Sequence, residues 1–153
     1  MKHALFVLLI ALLLAGCARG QRQPQPPDIH YGEDICVECN MIISDARFAA
    51  GYAHEISPGR YESLPFDDIG DMLVHSLKHP EHKIAFWYVN DYTTKTWLDA
   101  SQAFFVVSPD LQTPMGFGIA AHATAEAAAA QAAELNGEVL TWEELRAKFK
   151  PEM

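Results

Sequence analysis

RYESLPFDDIGDMLVHSL, Arg60 to Leu77, contains a change of period that decides the fold. Arg60 to Phe66 reads as a strand. Ile69, Met72, Leu73 and Leu77 then recur at helical spacing, with an aspartate of Asp67-Asp68 placed to cap the helix. Upstream, Arg47 to His54 reads as a first strand, and Ser57-Pro58-Gly59 turns it into the second as a hairpin. Downstream, Lys78-His79-Pro80 closes the helix. Lys83 to Asn90, KIAFWYVN, is a β-prone run. The order is strand, strand, helix, strand.

The second half repeats that order. Ala103 to Val107 is a strand and Gly116 to His122 a weaker one. Ala123-Thr124-Ala125-Glu126 resembles a capping box before an Ala-rich helix that runs to about Leu135. Asn136-Gly137 is a helix stop, Glu138-Val139-Leu140 a short strand, and Thr141 the cap of a C-terminal helix. Asn90 to Thr94 would connect the halves. The expected fold is α+β: two similar strand–strand–helix–strand units, about 42–92 and 97–142, with helices packed on antiparallel sheet and a final helix. Trp87, Tyr88 and Trp97 are expected core aromatics.

A length of 153 residues allows one domain or two small lobes. Half the residues are apolar and 20% charged, which suits a folded protein rather than a disordered one. The net charge of −9 comes without any Lys/Arg cluster, which argues against nucleic-acid binding.

The N-terminus stands apart. MKHALFVLLIALLLAGC has a positive Lys2, an apolar run from Ala4 to Leu14, and then small residues. The run is short of the roughly 20 residues that span a bilayer. It reads as a secretory leader over 1–16, and Leu14-Ala15-Gly16-Cys17 resembles the bacterial lipoprotein signal. That resemblance implies cleavage before Cys17 and lipidation of Cys17. The protein is then expected to be anchored by lipid to a membrane, facing the periplasm or extracytoplasmic space. Residues 17–33, with Pro24, Pro26 and Pro27, read as an extended tether, and 34–153 as the domain.

CVECNM, Cys36 to Met41, follows the tether. A disulfide between Cys36 and Cys39 suits an oxidising compartment. Structural zinc wants two further ligands; His75, His79 and His82 are spaced for a pair but fall near the end of the first helix. Asn40 excludes the c-type haem pattern. A redox dithiol wants a strand-to-helix junction, whereas this pair precedes every strand. Met41 adds a thioether, a ligand for Cu(I) rather than for Zn²⁺, Ca²⁺ or Mg²⁺. In an extended segment Cys39 and Met41 point the same way. Met115, between Pro114 and Gly116, suits a turn outside the core, whereas Met72 suits core filling. His54 and His122 fall on or near strands and read as surface or core residues.

Several stretches then combine. Cys39-x-Met41 behind a lipoprotein signal, Phe66-Asp67-Asp68, Tyr88-Val89-Asn90-Asp91, Trp97, Ala103 to Val107 and Pro114-Met115-Gly116 together resemble the NosL family. That family comprises nitrous oxide reductase accessory lipoproteins acting as copper chaperones. The resemblance implies a fold of two similar units, related to that of organomercurial lyase. It implies Cu(I) bound by Cys39 and Met115, with Met41 as a further sulfur. Cys36 departs from family members with a single cysteine here and is an additional candidate ligand. The implied function is not enzymatic. It is delivery of Cu(I) to nitrous oxide reductase or another extracytoplasmic copper enzyme, with a membrane transporter as a further partner. The alternative is an enzyme: a thiol–disulfide oxidoreductase using Cys36 and Cys39, or, as the related fold implies, a carbon–metal lyase, which would need a carboxylate near the thiolate from Asp67, Asp68 or Asp91.

Overall fold

A computed structural model describes residues 23–149. The leader and Cys17 lie outside the described residues. β1 (Ala50–Ser57) and β2 (Arg60–Phe66) form an antiparallel hairpin, from Ala50 opposite Phe66 to Ser57 opposite Arg60. Gly59 takes the left-handed conformation that the turn requires, φ 70°. α1 (Ile69–Lys78) follows at once. Asp68 caps it, its carboxylate accepting from the Gly70 N–H at 2.8 Å. β3 (Ile84–Asn90) returns antiparallel on the other side of β1, and β4 (Trp97–Asp99) adds to β3. A 3₁₀ turn, Ala100–Gln102, leads into the second unit.

There β5 (Phe104–Val107) lies between β6 (Ile119–His122) and β7 (Glu138–Leu140), antiparallel to both. α2 (Ala125–Glu134) separates β6 from β7 and is capped by Thr124. α3 (Trp142–Lys148) begins in a full capping box, Thr141 with Glu144.

The sheet orders are β2-β1-β3-β4 and β6-β5-β7. In each unit the first strand is central, the second flanks one side, and the third returns after the helix to the other. The two units therefore share one topology, with β4 an addition to the first. Asp91 joins them. Its backbone bridges Ala121, and its carboxylate accepts from the Thr94 N–H, the Thr94 hydroxyl and the Ala123 N–H at 2.7–2.9 Å.

One core runs through both units. It contains Tyr52, Phe66, Ile69, Met72, Val89, Phe105, Ile119, Leu140 and Trp142. Met72 fills it, as its place on the apolar stripe of α1 suggests. Tyr88 is buried, while Trp87 and Trp97 are half-buried against the same cluster. α2 is packed through Ala128 and Ala132 on Val106 of β5, small residues letting the helix lie close to the sheet.

The proline-rich stretch expected as a tether through residue 33 lies against the body from Gln25 onward. Pro27 is buried on Gly51, where an added Cβ would fall 2.5 Å from the proline ring. Ser63 donates to the Gln25 carbonyl, and Asn90 donates to the Tyr31 hydroxyl. Prolines lose little entropy on ordering, and the edge strand β2 offers polar groups for them to lie against.

Candidate metal centre

Residues 34–43 form a small antiparallel finger. Ile35 bridges Ile42, the Ile43 N–H donates to the Asp34 carbonyl, and the Cys36 N–H donates to the Met41 carbonyl. At its tip the Asn40 N–H returns to the Cys36 carbonyl, and Asn40 is left-handed, φ 59°. Asparagine tolerates that conformation better than most residues. Cys39-Asn40-Met41 is therefore a turn and not the extended run expected from the sequence, so strand alternation does not govern where Met41 points.

The turn wraps the Cys36 sulfur. The Cys39 N–H points at it from 3.5 Å, and the thiol donates to Asp71 Oδ2 at 3.4 Å. Cys36 is fully buried in the core, Cys39 is half-buried, and both thiols are free. Ligand atoms of Cys36, Cys39 and Asp71 all lie within 4.8 Å of one another. Asp71 comes from the first turn of α1, so the finger is seated on the N-terminal end of that helix.

Burial sets the protonation of this trio. It pushes the Cys39 thiol well above the ordinary thiol range, and hydrogen bonds with Cys36 and Asp71 push the same way. Burial also raises Cys36, against backbone N–H groups of Cys39, Asp67 and Glu38 that would favour its thiolate. The Asp71 carboxyl is raised by burial as well. Near neutral pH both sulfurs therefore keep their protons until a cation takes their place. This is the opposite of the depressed thiol that activates a redox cysteine.

Met115 reaches the same helix end from the second unit. It lies in the loop between β5 and β6, where Gly116 and Gly118 are left-handed, φ 76° and 66°. Asp68 Oδ2 accepts from the Thr113 hydroxyl at 2.6 Å and from the Met115 N–H at 3.1 Å. The Phe117 ring lies over Gly70 so closely that an added Cβ would meet it at 2.0 Å. The loop is thus fixed to Asp68 and Gly70, while the cysteine turn is fixed to Asp71, one helical turn along. Met115 is 37% exposed and Met41 54%, so neither thioether is spent on the core.

Of the sequence candidates, Cys36 and Cys39 meet directly. Met115 is tied through its backbone to the cap one turn from Asp71, and Met41 is exposed beside the turn. Asp71 is the member that sequence reasoning missed. Its signal in the sequence was slight: it lies on the polar stripe of α1 with His75, away from Ile69, Met72 and Leu73, yet it is 3% exposed. Of the carboxylates considered for lyase chemistry, Asp67 and Asp68 are buried at the α1 N-terminus, whereas Asp91 lies at the junction of the units.

Known proteins resemble this chain in sequence and in fold. The chain is 31% identical to the copper-binding lipoprotein NosL of Stutzerimonas stutzeri, in an alignment covering 92% of the chain and 78% of that protein. Its fold is similar to the crystal structure of the copper chaperone NosL from Shewanella denitrificans, with a TM-score of 0.65 at 20% identity over 78% of the chain and 94% of the other. The NosL family profile matches residues 29–149. The chain belongs to the NosL family.

Proposed function

We propose that the chain is an extracytoplasmic, lipid-anchored copper chaperone that takes up Cu(I) through Cys39, Met41 and Met115, with Cys36 as an additional ligand. The observation that carries this reading is the convergence of two distant segments on one helix end. The cysteine turn is attached to Asp71, and the Met115 loop to Asp68. A thiolate with thioethers favours Cu(I) over harder ions.

Uptake exchanges a proton for the metal. The Cys39 S–H bond breaks, a sulfur–copper bond forms, and the proton leaves by way of Asp71 to water. Asp71 is within reach of the thiols and, with its raised affinity for protons, is suited to receive it. Release runs the exchange backwards once a partner offers better ligands. The exposure of Met41 and Met115 supports such a hand-over, because a partner's ligand can approach from that side.

The client is nitrous oxide reductase and its copper–sulfur centre, or another extracytoplasmic copper enzyme, with a membrane transporter of the same system as a further partner. The copper-binding and copper-chaperone names of the NosL relatives support copper delivery, and the choice of client rests on the family resemblance alone. Cys17 is the lipid attachment point. Among the described residues no helix is long and apolar enough to cross a membrane, which fits anchoring by lipid. The raised thiols lend no support to a thiol–disulfide oxidoreductase. Mass spectrometry of the full-length protein purified from membranes tests the class. One copper per chain together with a lipid adduct on Cys17 supports the proposal. A metal-free protein that cycles Cys36 and Cys39 as a disulfide contradicts it.

A further inference from the structure

At the far end of α1, four imidazoles gather around one tyrosine. His75 and His79 are stacked with ring centroids 4.2 Å apart, His54 and His82 at 4.1 Å, and His79 and His82 at 5.0 Å. The Tyr52 hydroxyl lies 2.7 Å from both His75 Nδ1 and His82 Nδ1. His79 Nδ1 lies 2.9 Å from Glu81 Oε1. Nothing in the sulfur site uses these residues. Asp71, His75 and His79 follow one stripe of α1 at intervals of four, so His79 lies about 12 Å along the axis from Asp71.

We infer that His79, Glu81 and His82 form a second metal site, for a borderline divalent cation of the Zn²⁺ or Cu²⁺ class. Ligand atoms of these three residues lie within 4.8 Å of one another. Imidazole and carboxylate suit Zn²⁺ and Cu²⁺, and offer nothing that selects Cu(I).

The surrounding bonds prepare the ligands. A hydroxyl between two imidazole nitrogens donates to one and accepts from the other. With His82 Nδ1–H donating to Tyr52, and Tyr52 donating to His75, the Nε2 of His82 carries a free lone pair. His79 Nδ1 already lies 2.9 Å from Glu81 Oε1, so an ion bound there would replace the proton between them. The bond from His82 Nδ1 to the Tyr52 hydroxyl orients the ring through its non-ligating nitrogen, as metal-binding histidines usually are.

Two of the rings, His75 and His82, are held toward the neutral form. Burial lowers His75 to about 4, helped by the neighbouring His79. Burial and then His54 and His79 lower His82. Around the group, Glu62 pairs with His54, and Glu38 with Lys78. His79 and His82 are stacked nearly parallel, 16° between planes, so binding turns the half-exposed His79 ring to aim its nitrogen at the ion.

The test uses untagged full-length protein carrying Cys39→Ser, which weakens the sulfur site. It is titrated separately with Zn²⁺ and Cu²⁺ by calorimetry, and the Cu²⁺ form is examined by electron paramagnetic resonance. One ion per chain is expected, with nitrogen hyperfine structure from imidazole and tighter binding of Cu²⁺ than Zn²⁺. His79→Ala and His82→Ala should each weaken binding at least tenfold. His79 is exposed enough that its truncation leaves the fold intact, which circular dichroism checks. Unchanged affinity in both variants, or a copper spectrum without nitrogen coupling, overturns the inference. Wild-type protein that binds Zn²⁺ here but captures no Cu(I) would overturn the chaperone reading and leave this site standing.

Discussion

Changing the pH from 6 to 8 should tighten Cu(I) binding steeply. Burial holds both thiols above the ordinary range, so the copper-free protein keeps its sulfhydryl protons throughout that window. Each thiolate formed on copper then costs one released proton. The sign follows: a raised thiol pKa favours the neutral form, and lowering the pH opposes binding. Per thiolate, affinity changes tenfold per pH unit, about 1.4 kcal/mol. Over two units that is about a hundredfold if Cys39 alone ligates, and about ten-thousandfold if Cys36 joins it. Competition against a Cu(I) chelator of known protonation behaviour gives the slope, and proton release can be read in a weakly buffered indicator solution. Cys36→Ser should keep a slope of one, while Cys39→Ser should lose at least one proton. An affinity that does not change between pH 6 and 8 would refute the reasoning, because the ligand would then be already ionised or would not be a thiol.

Two further outcomes follow from the way the loops are held. Asp68→Ala removes the α1 cap and leaves the Thr113 hydroxyl and the Met115 N–H without their acceptor. It should cost about 2 kcal/mol in chemical denaturation and weaken Cu(I) binding, although Asp68 is not proposed as a ligand. If copper affinity is unchanged in a folded Asp68→Ala protein, the Met115 loop is not being positioned from that helix. Asp91→Ala should destabilise by about 2–3 kcal/mol, since three donors lose a buried acceptor at the junction of the units. Burial opposes the Asp91 carboxylate, but bonds from Thr94 and Ala123 outweigh it and lower its pKa. Its stabilisation is therefore present above the unfolded pKa and lost as pH falls through the folded one. Thermal melts of wild type and Asp91→Ala should converge in acid, and a gap that persists at low pH would contradict this.

Much of the fold was legible because the chain changes period where its elements change. The alternation of Arg60–Phe66 gives way to the helical spacing of Ile69, Met72 and Leu73 at Asp68, and the cap lies there in the structure. The second unit was readable from its stops: Asn136-Gly137 ends α2, and Thr141 opens α3. β4 was not read: its three residues show too little alternation, and unlike β7, of the same length, it has no helix stop before it to mark its start. The first strand was placed a few residues early, since Arg47 and Phe48 fit a strand pattern yet close a turn on Asp45.

The centre was partly legible. Its sulfur atoms follow from residue type, but their meeting place does not. Asp71 is invisible to a motif search because it lies in another element, 35 residues from Cys36, and only packing brings it to the thiols. The histidine group was similarly divided. The spacing of His75, His79 and His82 was visible, whereas the hydroxyl that joins two of them comes from β1, on a strand facing the helix.

The most direct test is the Cu(I) affinity of Cys39→Ser and Met115→Leu set beside wild type in one chelator competition. Both substitutions preserve size and fold closely enough for the comparison. Each is expected to lose at least tenfold in affinity, as a site shared between the two halves requires. Copper held as tightly by Met115→Leu as by wild type would contradict a centre assembled across the two units.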